Sequence, residues 1–258
     1  MADLESPMTT TSPRGDIVEQ QVQAKAGSPG RSLRIAVVLL VAASGGVEAV
    51  SFLALDKVFA GVMTSNLALL GMAAGRAEGA GVKAAVLALG GFAVGVLVVA
   101  LLTRGCAALT TRWPRRVMLV LCVDGLLLAA GALVWGLTGG APGPVTRDIL
   151  QCGAALVMGS QSAAMVAAGR AAAPTTYLTG TLATFITKGV GTGRPGVWVP
   201  LRFVGLIAGA ALSAGLLKHA PAWAAFPPVV LILAAITTAC VPLLKPPAAA
   251  EATASQPS

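Results

Sequence analysis

Charge and aromatic rings are scarce in this chain: 11% of its 258 residues are Asp, Glu, Lys or Arg, 4% are Phe, Trp or Tyr, and there is one histidine. Soluble domains carry about 25% charged residues, so the shortage argues against water as the solvent. The single His219 has no Ser or Cys arrangement beside it, which removes a triad and leaves a solvated loop residue. Of the four cysteines, Cys122, Cys152 and Cys240 fall within apolar runs and Cys106 beside an arginine-rich loop. There is no C-x-x-C and no Cys/His cluster, so neither a metal site nor a cofactor is expected. Gly191 to Gly196 fits the G-x-G-x-x-G expression, but no strand precedes it and Pro195-Gly196 reads as a loop, so nucleotide binding is rejected. No catalytic constellation remains, and the chain reads as a non-enzyme.

Apolar residues are plentiful: 56% of the chain is hydrophobic and the mean hydropathy is +0.82. They gather in six runs, roughly 33–55, 80–103, 117–139, 149–169, 199–217 and 222–244. Each matches the roughly 20 helical residues needed to cross a hydrocarbon core. An all-α protein of about six transmembrane helices follows, with the lipid bilayer as its partner. Residues 1–32, rich in Pro, Ser and Thr with both charge signs, read as a disordered tail, and 245–258 as a second one. A cleaved signal peptide is not expected, because its apolar region would begin well before Ile35.

The net charge of +8 does not indicate nucleic acid, since the basic residues are spread through loops with few aromatics between them. Topology accounts for them. With six spans and both termini cytoplasmic, the inner side receives Arg14, Lys25, Arg31, Arg34, Arg104, Arg112, Arg115, Arg116, Arg170, Lys188, Arg194, Arg202 and Lys245. The outer side receives Lys57, Arg76, Lys83, Arg147 and Lys218, five of the eighteen. That is the bias of a plasma-membrane protein. Two further stretches, Val62 to Gly75 and Tyr177 to Val190, are helical in pattern but too short to span comfortably. Making both cross would cut the bias to eleven against seven. They read instead as re-entrant or interfacial helices.

The chain also repeats itself. Gly45-Gly46-Val47-Glu48-Ala49 matches Gly159-Ser160-Gln161-Ser162-Ala163 at an offset of 114, and Gly91-x-x-x-Gly95 matches Gly205-x-x-x-Gly209 at the same offset. Met63-Thr64-Ser65-Asn66-Leu67-Ala68 matches Leu178-Thr179-Gly180-Thr181-Leu182-Ala183 at 115. The halves are 33–139 and 140–244. Each holds a span, a short helix, a Gly-x-x-x-Gly span and a third span. Three crossings are odd, so the second copy must insert inverted, a recurrent plan of transporters and channels with the site at the midplane. Gly91, Gly95, Gly205 and Gly209 permit close helix packing.

The segments GGVEAVSFLALDKVFAGVMTSNLALLG and GSQSAAMVAAGRAAAPTTYLTGTLATF resemble the two signature segments of the DUF1275 family, also termed the YoaK or UPF0700 family of bacterial membrane proteins. The likeness covers most of 33–244. It implies a bacterial membrane location and six or so helices, and no substrate. The chain departs from the family in having Glu48 where Gly-x-Val-Asp-Ala is usual and Ser65 where Met-Thr-Gly-Asn is usual. A basic residue that often follows the Gln-x-Ala segment is replaced by Val166 and Ala167.

Polar residues inside spans mark candidate sites, because an ionised group at the bilayer centre costs about 2.5–3.5 kcal/mol. Glu48 shares one helical face with Ser44 and Ser51. Asp124 sits about two turns into the third span, where Arg116 or Arg202 is expected to reach it. Gln161, with Ser160 and Ser162, is the counterpart of Glu48 in the second half and is expected to face it across a pseudo-two-fold axis. Thr64, Ser65 and Asn66, and Thr176, Tyr177 and Thr179, resemble helix N-termini, where such residues cap free N–H groups or meet an anion or polar solute. Two function classes fit: a small-solute transporter or channel, taking a small polar solute or a proton at the repeat interface, and a non-transport scaffold, lipid-binding or accessory protein. Oligomeric state is not readable from the sequence.

Overall fold

The structure is a computed structural model that describes residues 30–105, 113–169, 178–192 and 197–244. Those residues form helices α1 (Arg31–Ala54), α2 (Met63–Gly75), α3 (Gly79–Leu102), α4 (Arg115–Leu137), α5 (Pro144–Ala168), α6 (Leu178–Thr192), α7 (Trp198–His219) and α8 (Phe226–Leu244), with a 3₁₀ turn at Pro221–Trp223 before α8. Among the described residues six segments are long and apolar enough to cross a membrane: α1, α3, α4, α5, α7 and Pro221–Cys240. Leu119, Leu126, Leu133 and Leu137 are 56–79% exposed along α4. Such an apolar stripe on the outside suits a hydrocarbon surrounding.

The spans differ in what surrounds them. α1 and α5 are the most buried, and α5 has a mean hydropathy of 1.4 against 2.7 for α3. A helix surrounded by protein can carry polar groups that a lipid-facing helix cannot. α1 packs along α7 and α8, whereas α5 packs along α3 and α4; α4 also meets α8, and α2 lies on α3.

Glycine sets the closest of these crossings. A methyl group at Gly95 would collide with the Leu156 carbonyl, and one at Gly209 with the Ala42 carbonyl. Gly159 and Gly45 stand likewise against the carbonyls of Phe92 and Leu206. Gly91 and Gly205 meet Cys152 and Val38 in the same way, with added Cβ atoms 2.5 Å and 3.3 Å from the carbonyl oxygens. Small residues thus let the backbones of α3 and α5, and of α7 and α1, approach closely.

Several boundaries differ from the sequence reading. α5 begins at Pro144 rather than 149, because proline is at home in the first helical turn, where its missing N–H has no partner to lose. The short helices run Met63–Gly75 and Leu178–Thr192. The hydroxyls expected to cap α2 do not do so: the N-cap is Val62, without a side-chain cap. Thr64 and Ser65 lie inside the first turn instead. Between α2 and α3, Ala77 takes a left-handed φ of 56° while Glu78 N donates to Ala73 O at 2.9 Å, which closes the helix end in a tight reversal.

The feature that positions the candidate site is the segment between α1 and α2. After Ala54 the chain does not continue away from the bundle. Residues 58–61 fold back along α1 to the level of Ser51 and Glu48, about one and two turns before its end. α2 then starts from that depth.

Candidate functional site

Glu48 is the centre of this return. Its Oε2 accepts the Ala60 N–H at 2.9 Å and its Oε1 the Gly61 N–H at 2.7 Å. A carboxylate gripping two backbone donors is a strong, charge-assisted pair. One turn further along the same face, the Ser51 hydroxyl lies 2.8 Å from the Val58 carbonyl and 2.7 Å from Gln151 Oε1 on α5. From the other side Asn66, fully buried on α2, accepts the Phe59 N–H at 2.9 Å and donates to the Phe59 carbonyl at 2.6 Å. Glu48, Ser51 and Asn66 therefore converge on one short loop. Gly61 is wedged so tightly that an added Cβ would stand 2.8 Å from Glu48 Oε1 and 3.3 Å from Met158 Cβ on α5. The loop tip fills the space between the two central helices.

The other candidates lie elsewhere. Asp124 is buried in α4 and is hydrogen-bonded by Ser160 of α5. The expected arginine partners are not there: Arg116 Nη1 donates to the Leu102 and Arg104 carbonyls at 3.0 and 3.4 Å, capping the end of α3, and Arg202 sits beside Arg34, which lies over the Trp198 ring at 5.6 Å. A free helix end near Arg116 is the nearer acceptor. Gln161 is fully buried on α5, and Ser162 donates to the Met158 carbonyl at 2.7 Å. At an offset of 114 the residue matching Glu48 is Ser162, and Gln161 matches Val47. Thr64 and Thr179 are exposed and Ser65 is half-buried, so none of them joins the Glu48 cluster. Thr176 and Tyr177 lie outside the described residues.

Sequence reasoning missed Gln151, Gly61 and a charged group at this end of the bundle. Lys83 pairs with Asp148 at 2.8 Å, and Arg147 stands 3.9 Å from Asp56. Burial, followed by the neighbouring Asp148 charge, holds the Asp56 carboxyl above the usual carboxylate range, against the opposing pull of Arg147 and Lys83. Among the described residues no group of three or more His, Cys, Asp or Glu side chains is placed to hold a metal ion.

The sequence profile described as a protein of unknown function, DUF1275, matches residues 36–238, which includes every residue of this cluster. The chain belongs to the DUF1275 family. It is similar to the UPF0700 transmembrane protein YoaK of Bacillus subtilis (strain 168), 31% identical over 148 residues. That alignment takes in 57% of this chain and 63% of YoaK, so the chain spans under two thirds of that relative's length. No solved structure matches. This DUF1275 member is thus a multi-pass membrane protein whose buried polar cluster is built around one returning loop.

Proposed function

We propose that this DUF1275 protein is a small-solute transporter, not an enzyme, with its site where two inverted halves meet at Glu48. The observation that carries the reading is the Glu48 carboxylate, which holds a loop at membrane depth through two backbone N–H groups. Protonation would turn one carboxylate oxygen from acceptor to donor, and one of the two grips would be lost. Proton binding and loop release are then one event, as a coupled carrier requires.

The inverted repeat is supported by reciprocity in the packing. Gly95 against Leu156 becomes, on exchanging the halves by 114 residues, Gly209 against Ala42; Gly159 against Phe92 becomes Gly45 against Leu206; Gly91 against Cys152 becomes Gly205 against Val38. Three contacts of the α3–α5 crossing thus have their counterparts in the α7–α1 crossing under one exchange. With three spans in each half, the exchange requires opposite insertion. α2 is then a re-entrant helix, entered through the loop that returns to Glu48, and α6 its counterpart from the other face. The arginine-rich ends of α1, α3 and α4 favour a cytoplasmic placement of both termini in a bacterial plasma membrane.

A non-transport role as scaffold, lipid-binding or accessory protein has one observation in its favour: Glu48 and Asn66 are satisfied by the loop backbone, as in a purely structural clasp. The two readings separate on uptake or efflux of a metabolite panel in cells lacking or overproducing the protein. A transporter gives a solute-specific flux that Glu48→Gln removes at equal protein abundance. No change for any solute, with a variant that only melts earlier, leaves the clasp and discards the carrier.

A further inference from the structure

We propose that an apolar crevice between α1, α4 and α5 holds one acyl chain of a membrane phospholipid, whose head, a phosphate with a primary ammonium, rests against the outer, exposed side of the Arg147–Asp56 pair. The crevice has a volume of about 360 Å³, within the ~300–1,000 Å³ of small-molecule sites. Its walls include Val47, Leu128, Gly131, Trp135 and Val157. Two of the few polar groups around it are already engaged: the Trp135 indole N–H donates to the Pro221 carbonyl at 2.7 Å, and Ser51 is bonded to Val58 and Gln151. A hydrated solute would lose its water shell there and recover few hydrogen bonds, whereas a hydrocarbon chain loses nothing.

The position of the opening indicates where the chain comes from. Leu127, Val134 and Ile149 line the crevice and are also 40–65% exposed on the flank of the bundle, continuous with the apolar stripe of α4. Hydrocarbon of the bilayer is therefore at its mouth. Leu55 and Thr146 also line it, and their chain neighbours Asp56 and Arg147 carry opposite charges at that edge. These two stand 3.9 Å apart, beyond the ~2.7–2.9 Å of a charge-assisted hydrogen bond. The Arg147 and Asp56 side chains are 39% and 22% exposed, so each keeps polar surface open at the mouth of the crevice. One acceptor and one donor of opposite charge match a zwitterionic head: phosphate oxygen to the guanidinium, ammonium to the carboxylate. The nearby Lys83 and Asp148 satisfy each other and add no net charge.

The test is native mass spectrometry of the purified, delipidated full chain titrated with phosphatidylethanolamine, phosphatidylcholine and phosphatidylglycerol of identical acyl chains. Only the first offers both a phosphate and an ammonium with N–H donors. The expected result is one site that prefers it by roughly ten- to a hundredfold, about the worth of one hydrogen bond between charged groups. Asp56→Asn should abolish the preference and Arg147→Gln weaken all three lipids. Gly131→Leu, which fills the crevice, should remove the site. Equal binding of the three lipids by the unmodified chain overturns the proposal, and that comparison stands even where a variant fails to fold. A preference that survives both Asp56→Asn and Gly131→Leu overturns it equally.

Discussion

Asn66 occupies both backbone groups of Phe59, so no smaller side chain can replace it without leaving a part-buried N–H and a part-buried carbonyl without their partner. Each such loss costs about 1–3 kcal/mol, and Asn66→Ala should lower the thermal midpoint of the purified protein clearly, while Thr64→Ala, at an exposed position on the same helix, should not. Equal midpoints for the two variants would show that the loop is not fastened through Asn66. Glu48, Ser51 and Asn66 were legible in the sequence because polar groups in or beside apolar runs are expensive and need partners. Their partners were not legible. A backbone N–H looks the same at every residue, so nothing in the string singles out Ala60 and Gly61 as the donors to Glu48. Gln151 was hidden differently: it stands beside charged Arg147 and Asp148, where a sequence reading takes polarity for the membrane surface. The same error started α5 late. Asp124 shows the opposite failure, since arginines are the obvious partners by charge and a serine on α5 is the one that reaches it.

At the scale of helices, the crossings depend on positions where no methyl group fits. Gly95→Ala and Gly209→Ala place a Cβ against a carbonyl oxygen of the neighbouring helix, so the helices must separate. Overpacking of this kind costs about 1–3 kcal/mol, occasionally more. Gly215, also on α7, has nothing within 4 Å of an added Cβ, and its replacement by alanine should stabilise the helix by up to about 1 kcal/mol. Thermal unfolding of the three variants in one detergent checks the contrast, and a loss at Gly215 as large as at Gly209 would contradict it. The Gly-x-x-x-Gly spacing announced close packing in the sequence, yet not which helices it joins. Pairing of α3 with α5 and of α7 with α1 is a long-range property, and only the 114-residue offset hinted that the two crossings are copies of each other. Helix number and type were legible throughout, because hydropathy over twenty residues is a strong signal. Caps were not: the hydroxyl-rich start of α2 reads as a capping segment, but the loop approaches from the side of Asn66, and the capping position falls to Val62.

For the whole molecule, the reciprocal contacts, the three apolar spans in each half and the distribution of arginine support the proposed arrangement, in which two halves of opposite insertion meet around the Glu48 loop. Reporter fusions should place Ala54 and Leu137 on the external side and Leu102 and Ala168 with the termini. A fusion after Leu102 that reports the external side would break the six-span order and the inversion with it. The central claim is that one carboxyl both takes up a proton and holds the loop, and it is tested most directly in proteoliposomes. With an imposed pH gradient and a solute identified from the metabolite panel, the unmodified protein should accumulate that solute against its concentration. Glu48→Gln should lose gradient-driven accumulation while retaining exchange of labelled for unlabelled solute, and Asp124→Asn should lose less. Accumulation that persists undiminished in Glu48→Gln would contradict the account.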